Sequence, residues 1–428
     1  MLYPTYKIKK PIRLIEFFAG YGSQALALKY LGIEFEHWKI CEWAIKSIQA
    51  YKDIHFTDDD IELNPNRTKE EMINFLYQKG ISSNYNDPMT KEQIARLNEN
   101  ALKTIIKNIA ITHNLVNIQQ VKGKDLCITD TDKFTYLLTY SFPCQDLSLA
   151  GKGKGMSDTS TRSGMLWEVE RILTECKELG ELPEILLMEN VPQVHGADNV
   201  EHFNKWQLRL EELGYKNYWQ DLIATNYGIP QTRNRCFMIS VLGDYNYTFP
   251  KPIPLKLKLK DMLEDNADEK YYLSDKMMEY IFSEDDKYKV NKNSLKLNRD
   301  IACSKTTREG NTRADTSDYI MVKNATKKGY LEATDGDGID ISGRMQYHRG
   351  TVQKGKTQTL STMGGDNNGV IDNMQVRKLT PRECFRLMGV RDDDIDKVAK
   401  NQSDSSLYHL AGDSIVVNVL MAIFKELI

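Results

Sequence analysis

A chain of 428 residues, 41% hydrophobic and 27% charged, has the composition of a globular protein of two or three domains at roughly 100–200 residues each. The net charge of -3 gives no overall basic signature. A mean hydropathy of -0.51, with no apolar run near the ~18 residues a spanning helix needs, argues against a membrane protein. The seven cysteines (41, 127, 144, 176, 236, 303, 384) are odd in number and form no CxxC pair. That speaks against a disulfide framework and a structural zinc site, and fits a reducing cytoplasm.

In chain order, the basic start leads into a short apolar run that carries Glu16, which reads as a first strand rather than a signal peptide. The strand, Ile12–Phe18, ends at Ala19-Gly20-Tyr21-Gly22-Ser23, and a helical pattern follows over Gln24–Leu31 up to Gly32. A second strand is predicted over Phe35–Cys41 and a helix from Glu42 to about Tyr51. Residues 55–120 then break the alternation with an acidic start and a long helical pattern, Lys91–Ile111, and read as a helical insertion. Strands return at Leu137–Ser141, Glu184–Met188, Asn217–Asn226 and Arg235–Leu242, with a helix over Ser163–Leu179 stopping at Gly180. Strands alternating with helices predict a parallel α/β sheet wound on both faces.

Residues 245–375 lose that rhythm, are rich in Lys, Asn, Asp, Thr and Gly, and contain no Trp; they read as a second, irregular domain. Within them, residues 287–330 hold 11 Lys/Arg against 4 Asp/Glu, a basic stretch inside a near-neutral chain, of the kind that binds nucleic acid or is simply solvated. Amphipathic helix resumes at Thr380–Gly389 and Asp413–Leu427.

Five constellations carry chemistry. Gly20 and Gly22 sit at a strand-to-helix turn where a bare backbone can approach a ligand beside a helix N-terminus. Glu42 ends the second strand, the position where such folds hold ribose hydroxyls, and Trp43 beside it can stack on adenine. Cys144, in Ser141-Phe142-Pro143-Cys144-Gln145, follows an apolar strand at the ligand-binding edge, and as a thiolate it would be a nucleophile. Gly151, Gly153 and Gly155, interleaved with Lys152 and Lys154, look like a loop that closes over an anionic substrate. Glu189 ends the next strand at the same edge and suits a general acid if burial raises its pKa. Arg233 and Arg235, two apart on a strand, share a face and suit a phosphate or a polarised carbonyl.

With these motifs in order, joined by Arg377-Lys378-Leu379-Thr380-Pro381-Arg382-Glu383 and Gly412-Asp413-Ser414, the chain resembles a DNA (cytosine-5)-methyltransferase. The resemblance implies an S-adenosylmethionine-dependent, Rossmann-like doubly wound sheet with a smaller irregular target-recognition domain. It implies a catalytic domain from 1–244 and 376–428 and a recognition domain over 245–375. Cys144 would add to C6 of a flipped-out cytosine in double-stranded DNA, Glu189 would protonate N3, Arg233 would hold O2, and Arg235 would support Glu189. S-adenosylmethionine would lie on Phe18, Gly20 and Gly22, with Glu42 on the ribose, Trp43 on adenine and Asp125 near its amino group. Pro143, Leu166 and Ser414 would be further contacts. Lys152, Lys154, Lys323, Lys327, Lys328 and Thr359 would meet DNA. No metal is expected. The implied setting is a monomeric modification methylase of a bacterial or phage-infected cytoplasm, with a restriction endonuclease as a functional counterpart. Asp413 stands where the family more often has Asn; it cannot donate as Asn does, while still capping the helix that follows. A tRNA cytosine-5 methyltransferase, an inactive DNA-binding homologue and a nucleotide-dependent oxidoreductase are the rival readings.

Overall fold

The computed structural model describes residues 3–57, 67–143, 163–273, 320–327, 329–342, 350–362, 367–372 and 375–428. β1 (Ile12–Phe17) leads through a tight turn into α1 (Ser23–Leu31), and β2 (Phe35–Cys41) into α2 (Ile45–His55). Gly32, at a φ of 71°, closes α1 by donating its N–H to the Lys29 carbonyl at 3.0 Å, the left-handed C-terminal cap that glycine adopts most readily. The insertion holds α3 (Lys69–Lys79), α4 (Lys91–Ala95) and α5 (Glu99–Ile111). The single helix expected over Lys91–Ile111 is therefore two. Asn98 accepts from the Ala101 amide at 2.8 Å and starts a new helix in mid-pattern. These helices close around their own core of Met72, Leu76, Ile94, Leu102, Ile105 and Ile109.

β3 (Thr135–Tyr140), α6 (Leu166–Leu179), β4 (Ile185–Asn190), α7 (Val200–Leu213), β5 (Tyr215–Ile223) and β6 (Asn234–Leu242) complete the main sheet. Its strand order is β2-β1-β3-β4-β6-β5. β1 to β4 pair in parallel, but β6 runs antiparallel to both neighbours, which corrects the all-parallel expectation. The cause is local: β5 and β6 are joined without a crossover helix, and parallel strands need one. One face of the sheet packs Ile185, Leu187 and Ile239 against Leu26, Phe385, Leu420 and Phe424. The other packs Leu138, Leu186, Met188 and Met238 against Leu166, Leu173 and Trp206. The alternation along β4 is the period-two pattern of a strand covered on both sides.

A second, antiparallel sheet is ordered β10 (Val352–Gln353), β9 (Gly338–Asp340), β11 (Asn368–Asp372), β12 (Gln375–Lys378). It packs with the hairpin β7 (Ile320–Lys323) and β8 (Tyr330–Ala333) around Val322, Ile339, Ile371 and Val376. Neither edge of this sheet region falls at the expected boundaries of 245 and 375. Tyr247, Leu259 and Met262 belong to the main core, and β12 continues to Lys378.

Four helices end the chain: α8 (Pro381–Arg386), α9 (Asp392–Ala399), α10 (Asp404–Gly412) and α11 (Val417–Leu427). The stretch Asp404–Leu427 is apolar enough for a bilayer span by length and composition, with a window hydropathy of 1.6. Here it breaks between α10 and α11, and Val417, Leu420, Ile423 and Phe424 are core residues.

Candidate active site

The carboxyl edge of β1 turns sharply: Phe18, Gly20 and Gly22 have φ of 57°, 56° and 83°. The two glycines do different work. A Cβ on Gly22 would meet His55 Nε2 at 2.4 Å and Tyr51 at 2.7 Å, so packing requires glycine there. A Cβ on Gly20 would meet nothing within 4 Å; that backbone faces open space, as a ligand cradle needs. The Gly20 amide donates to Glu42 Oε2 at 3.0 Å, and the Ala44 amide to Oε1 at 2.8 Å. Burial pushes the Glu42 carboxyl up to about 7, against the pull of these amides. Trp43 is half-buried and packs on the core of the insertion. Phe18 is partly buried against the α6 side of the sheet.

Asp125 does not join this group. It lies in a 3₁₀ turn, Gly123–Leu126, and its carboxylate accepts from the Lys122 amide at 2.9 Å, capping its own turn. That turn is tied to α6 through Gly123 and Glu175 and to Trp38, midway along β2, through the Leu126 carbonyl. The segment beside Glu42 begins instead at Asn114. Its side chain accepts from the Glu42 amide at 3.1 Å and donates to the Glu42 carbonyl at 2.9 Å. Cys41 Sγ meets Val116 O at 3.4 Å. The long insertion displaces this segment in the sequence and hides the correspondence.

Glu16 was read only as a charge in a strand. It is fully buried one residue before the strand ends, and Tyr51 Oη donates to it at 2.5 Å. His37 Nδ1 lies 2.9 Å from the same phenol. With the single phenolic proton directed to Glu16, His37 Nδ1 is the donor to Tyr51. Burial raises the Glu16 carboxyl to about 7 and lowers the His37 imidazole to about 4.

At the neighbouring edge, Asn190 Nδ2 donates to the Phe142 carbonyl at 3.0 Å, fixing the segment that leads to Pro143 against the end of β4. Cys144, Lys152, Lys154 and Lys328 lie outside the described residues. Glu189 stands opposite Phe237 in the β4–β6 ladder, 6% exposed. Arg235 Nε is 3.1 Å from its Oε1. Burial raises the Glu189 carboxyl, opposed first by Arg235 and then by Arg233. The structure brings Arg235 and Glu189 together.

Arg233 differs from expectation. Its Nη1 donates to the carbonyls of Leu360 at 3.3 Å and Gly412 at 3.1 Å, and its Nη2 to that of Ser414 at 2.7 Å. These terminal nitrogens tie the start of β6 to two distant segments, at Leu360 and at Gly412–Ser414, rather than being held ready for a carbonyl of the substrate. Gln231 does similar work: Nε2 donates to Leu387 O at 2.7 Å, and Oε1 accepts from the Leu360 amide at 3.2 Å. Thr357 bridges to Gln231, so the segment carrying half-buried Thr359 is stitched to the start of β6. Lys323 lies in β7, and Lys327 is exposed in the turn after it.

Asp413 ends α10 and does not start α11; its amide donates to the His409 carbonyl at 2.9 Å, and α11 begins only at Val417 without a side-chain cap. The expected capping role is therefore withdrawn. Its side chain opens to the cleft, yet enough protein surrounds it for dehydration to raise the carboxyl to about 6, against Arg233 and Arg235. Ser414 Oγ donates to Ala411 O at 3.1 Å and, that proton being committed, accepts from Tyr21 Oη at 2.8 Å; the hydroxyl is engaged within the protein. Leu166 is fully buried and offers a ligand no surface.

Away from this edge, His195, Asp221 and Cys236 bring ligand-type atoms within 4.8 Å of one another. His195 Nε2 is already paired with Asp221 at 2.9 and 3.1 Å. A cavity of about 420 Å³ on the outer side of β2 is lined by Lys39, Phe75, Lys79, Lys103 and His113 among others, remote from Glu189.

The family model for the C-5 cytosine-specific DNA methylase matches residues 89–428. The type II methyltransferase M2.ScrFI of Lactococcus lactis subsp. cremoris is 33% identical over 419 residues, 97% of this chain and 99% of that protein. The orphan methyltransferase M.SssI of Spiroplasma monobiae is 32% identical over 427 residues, 98% and 97% of the two chains. The solved structure of the Entamoeba histolytica methyltransferase EhMeth shares the fold at a TM-score of 0.55 and 14% identity, covering 98% of each chain.

Proposed function

Since this chain belongs to the C-5 cytosine-specific DNA methylase family, and is thus a DNA (cytosine-5)-methyltransferase, we propose that its chemistry runs through Cys144 and Glu189, with Arg235 setting the acid. The tRNA reading is set aside, because the matching family is one of DNA methylases. The observation that carries the proposal is the buried Glu189 carboxyl, raised by burial and clamped by Arg235 at the sheet edge to which Phe142 and Pro143 are tied.

The cleft fits S-adenosylmethionine. Gly20 leaves open space at the turn, Glu42 presents a nearly buried carboxylate beside it, and Asp413 faces the same cleft. When bound, S-adenosylmethionine supplies an electrophilic methyl group. Phe18, Gly20, Gly22, Glu42 and Trp43 would hold it, with the 114–118 segment in the place first given to Asp125.

C5 of cytosine is a poor nucleophile. The Cys144 thiolate adds to C6, and Glu189 delivers its proton to N3, which takes up the electron pair displaced from the ring; C5 is then an enamine carbon. Once C5 carries the methyl group, a base takes the C5 proton, the electron pair left at C5 expels the Cys144 thiolate from C6, and N3 returns its proton to Glu189, which restores the ring. Arg235 keeps the Glu189 carboxyl oriented. Arg233 acts at one remove, by fixing the Leu360 and Gly412–Ser414 segments around the site. The target base must leave the helix stack to reach this edge.

We further assign target recognition to the β7–β12 region, with Thr359 and the basic residues of the 287–330 stretch as DNA contacts, and read the chain as a monomeric, cytoplasmic modification methylase. Of the two relatives compared above, one is named a type II methyltransferase and the other an orphan; the paired endonuclease is part of this proposal. Bisulfite mapping of DNA from cells expressing the chain should give one methylated cytosine context. A duplex with 5-fluorocytosine at that site should trap the enzyme on the peptide spanning 141–152. An adduct at Cys41, Cys127 or Cys236, or a Cys144→Ala variant with more than about a tenth of the wild-type rate, would overturn the assignment.

A further inference from the structure

The insertion does more than extend the sheet's flank. Its 81–90 segment is hydrogen-bonded onto the strand end that carries Glu42 and Trp43: Ser82 N donates to Trp43 O at 2.8 Å, and Ile45 N to Ser82 O at 2.9 Å. From that anchor the chain turns back on itself. Ser82 Oγ donates to Asp87 O at 2.8 Å, and Asn84 Oδ1 accepts from the amides of Asn86 and Asp87 at 2.9 and 3.0 Å. Tyr85 stands at the apex with a φ of 64°, a left-handed conformation that a bulky side chain rarely adopts and that clusters at ligand sites.

The Tyr85 ring lies on the His409 ring, with centroids 3.8 Å apart and 32° between planes. His409 is on α10, four residues before Asp413. The apex thus reaches from the Glu42 side of the cleft to the Asp413 side. Both carboxylates act electrostatically on the Tyr85 phenol, whose neighbours are also the hydroxyls of Ser47 and Ser406. The Tyr85 hydroxyl, with those two hydroxyls as its nearest polar company, and His409 Nε2 are both buried and complete no hydrogen bond of full geometry among the described residues. Two buried polar atoms short of a well-formed hydrogen bond, one of them at a strained apex, are a costly arrangement in a protein without ligand.

We propose that Tyr85 and His409 form an aromatic clasp that closes on the sugar of the methyl donor between Glu42 and Asp413, the Tyr85 hydroxyl and His409 Nε2 completing their hydrogen bonds on it. This rests on the reading of the cleft as the S-adenosylmethionine site. It gives the insertion a task in cofactor retention. A simple packing seam between the insertion and α10 predicts the opposite balance of effects, because it would stabilise the protein and leave the cofactor untouched.

The test measures affinity for S-adenosylmethionine and S-adenosylhomocysteine by calorimetry, with thermal melting of the cofactor-free protein alongside. Tyr85→Phe removes only the hydroxyl and should weaken both ligands by about three- to tenfold, the worth of one hydrogen bond. Tyr85→Gly accepts the left-handed backbone; it should weaken them further while the cofactor-free protein melts no lower than wild type. His409→Leu should weaken them as Tyr85→Phe does. Wild-type protein that binds both ligands, beside folded variants with unchanged affinity, overturns the clasp alone. Wild-type protein that binds neither overturns the reading of the cleft, and the clasp with it.

Discussion

Replacing Arg235 with Gln tests how the acid is set. Arg235 Nε stands 3.1 Å from Glu189 Oε1, and the two side chains are 16% and 8% exposed, so water screens the pair weakly. An opposite charge within about 4–6 Å ordinarily holds a carboxyl down by ~1–3 pH units, or ~1.4–4 kcal/mol. Without it, burial acts on Glu189 with only Arg233 opposing, and the proton is kept to higher pH. The proposed reaction needs that proton, so kcat/KM should fall at high pH in the wild type. In Arg235→Gln this falling limb should move up by ~1–3 pH units, while the plateau drops because a weaker acid transfers its proton less readily. Methyl incorporation measured from pH 5.5 to about 9.5 would show both effects, and Glu189→Gln should abolish the limb. A limb that stays in place, or moves down, while the rate falls would refute the reasoning: Arg235 would then be acting on the substrate and not through Glu189.

Other expectations follow from the same structure. Arg377 is fully buried, with Nη1 and Nη2 each 2.8 Å from Glu383 and Nε 2.7 Å from Asp372. Arg377→Met strands the Glu383 charge and should cost about 3–5 kcal/mol in urea unfolding; a loss under ~1 kcal/mol would refute the cost assigned to stranding that carboxylate. Glu16 is raised from its ordinary 4.5 to about 7 by burial, so it favours the fold fully below pH 4.5. That contribution is lost as pH rises through 7, by up to about 3 kcal/mol. Glu16→Gln should remove its share of the fall in cofactor-free stability, and an identical pH slope in variant and wild type would discount it. Neutralising Lys323, Lys327 and Lys328 together should lower the salt slope of DNA binding by up to about 0.9 per lost phosphate contact. Cofactor affinity should stay unchanged, and a shift in it with an unmoved slope would put these lysines in the wrong domain.

What the sequence disclosed was local. β1 with its glycine turn, β2 ending one residue before Glu42 and β4 with Glu189 next to its last residue could be read because strand pattern and site residue lie within a few positions of each other. The pairing of Arg235 with Glu189 needed only neighbouring strand ends. Contacts closed across the chain could not be read: the carbonyls that engage Arg233 are 127, 179 and 181 residues away. Asn98 was hidden because an apolar period continues through a capping residue that starts a second helix. Asp125 was misplaced because the insertion separates β2 from the segment beside it, leaving no spacing rule to prefer Asn114. The antiparallel β6 lacked a signal of its own, since a strand buried on both faces looks the same in either direction.

The last helix has a consequence for how the enzyme comes into being. α11 lies along α1, and Ile8 N donates to Leu427 O at 2.6 Å, while Arg233 depends on carbonyls at 412 and 414. During synthesis, then, the glycine turn and Glu42 leave the ribosome hundreds of residues before the pieces that close over them. No nascent chain short of residue 417 has a finished cleft, and the apolar face of α1 stays exposed until then. Methylating power therefore waits until α10 and α11 have been made, and a chain broken off before them is a substrate for chaperones and proteases rather than a partly active enzyme.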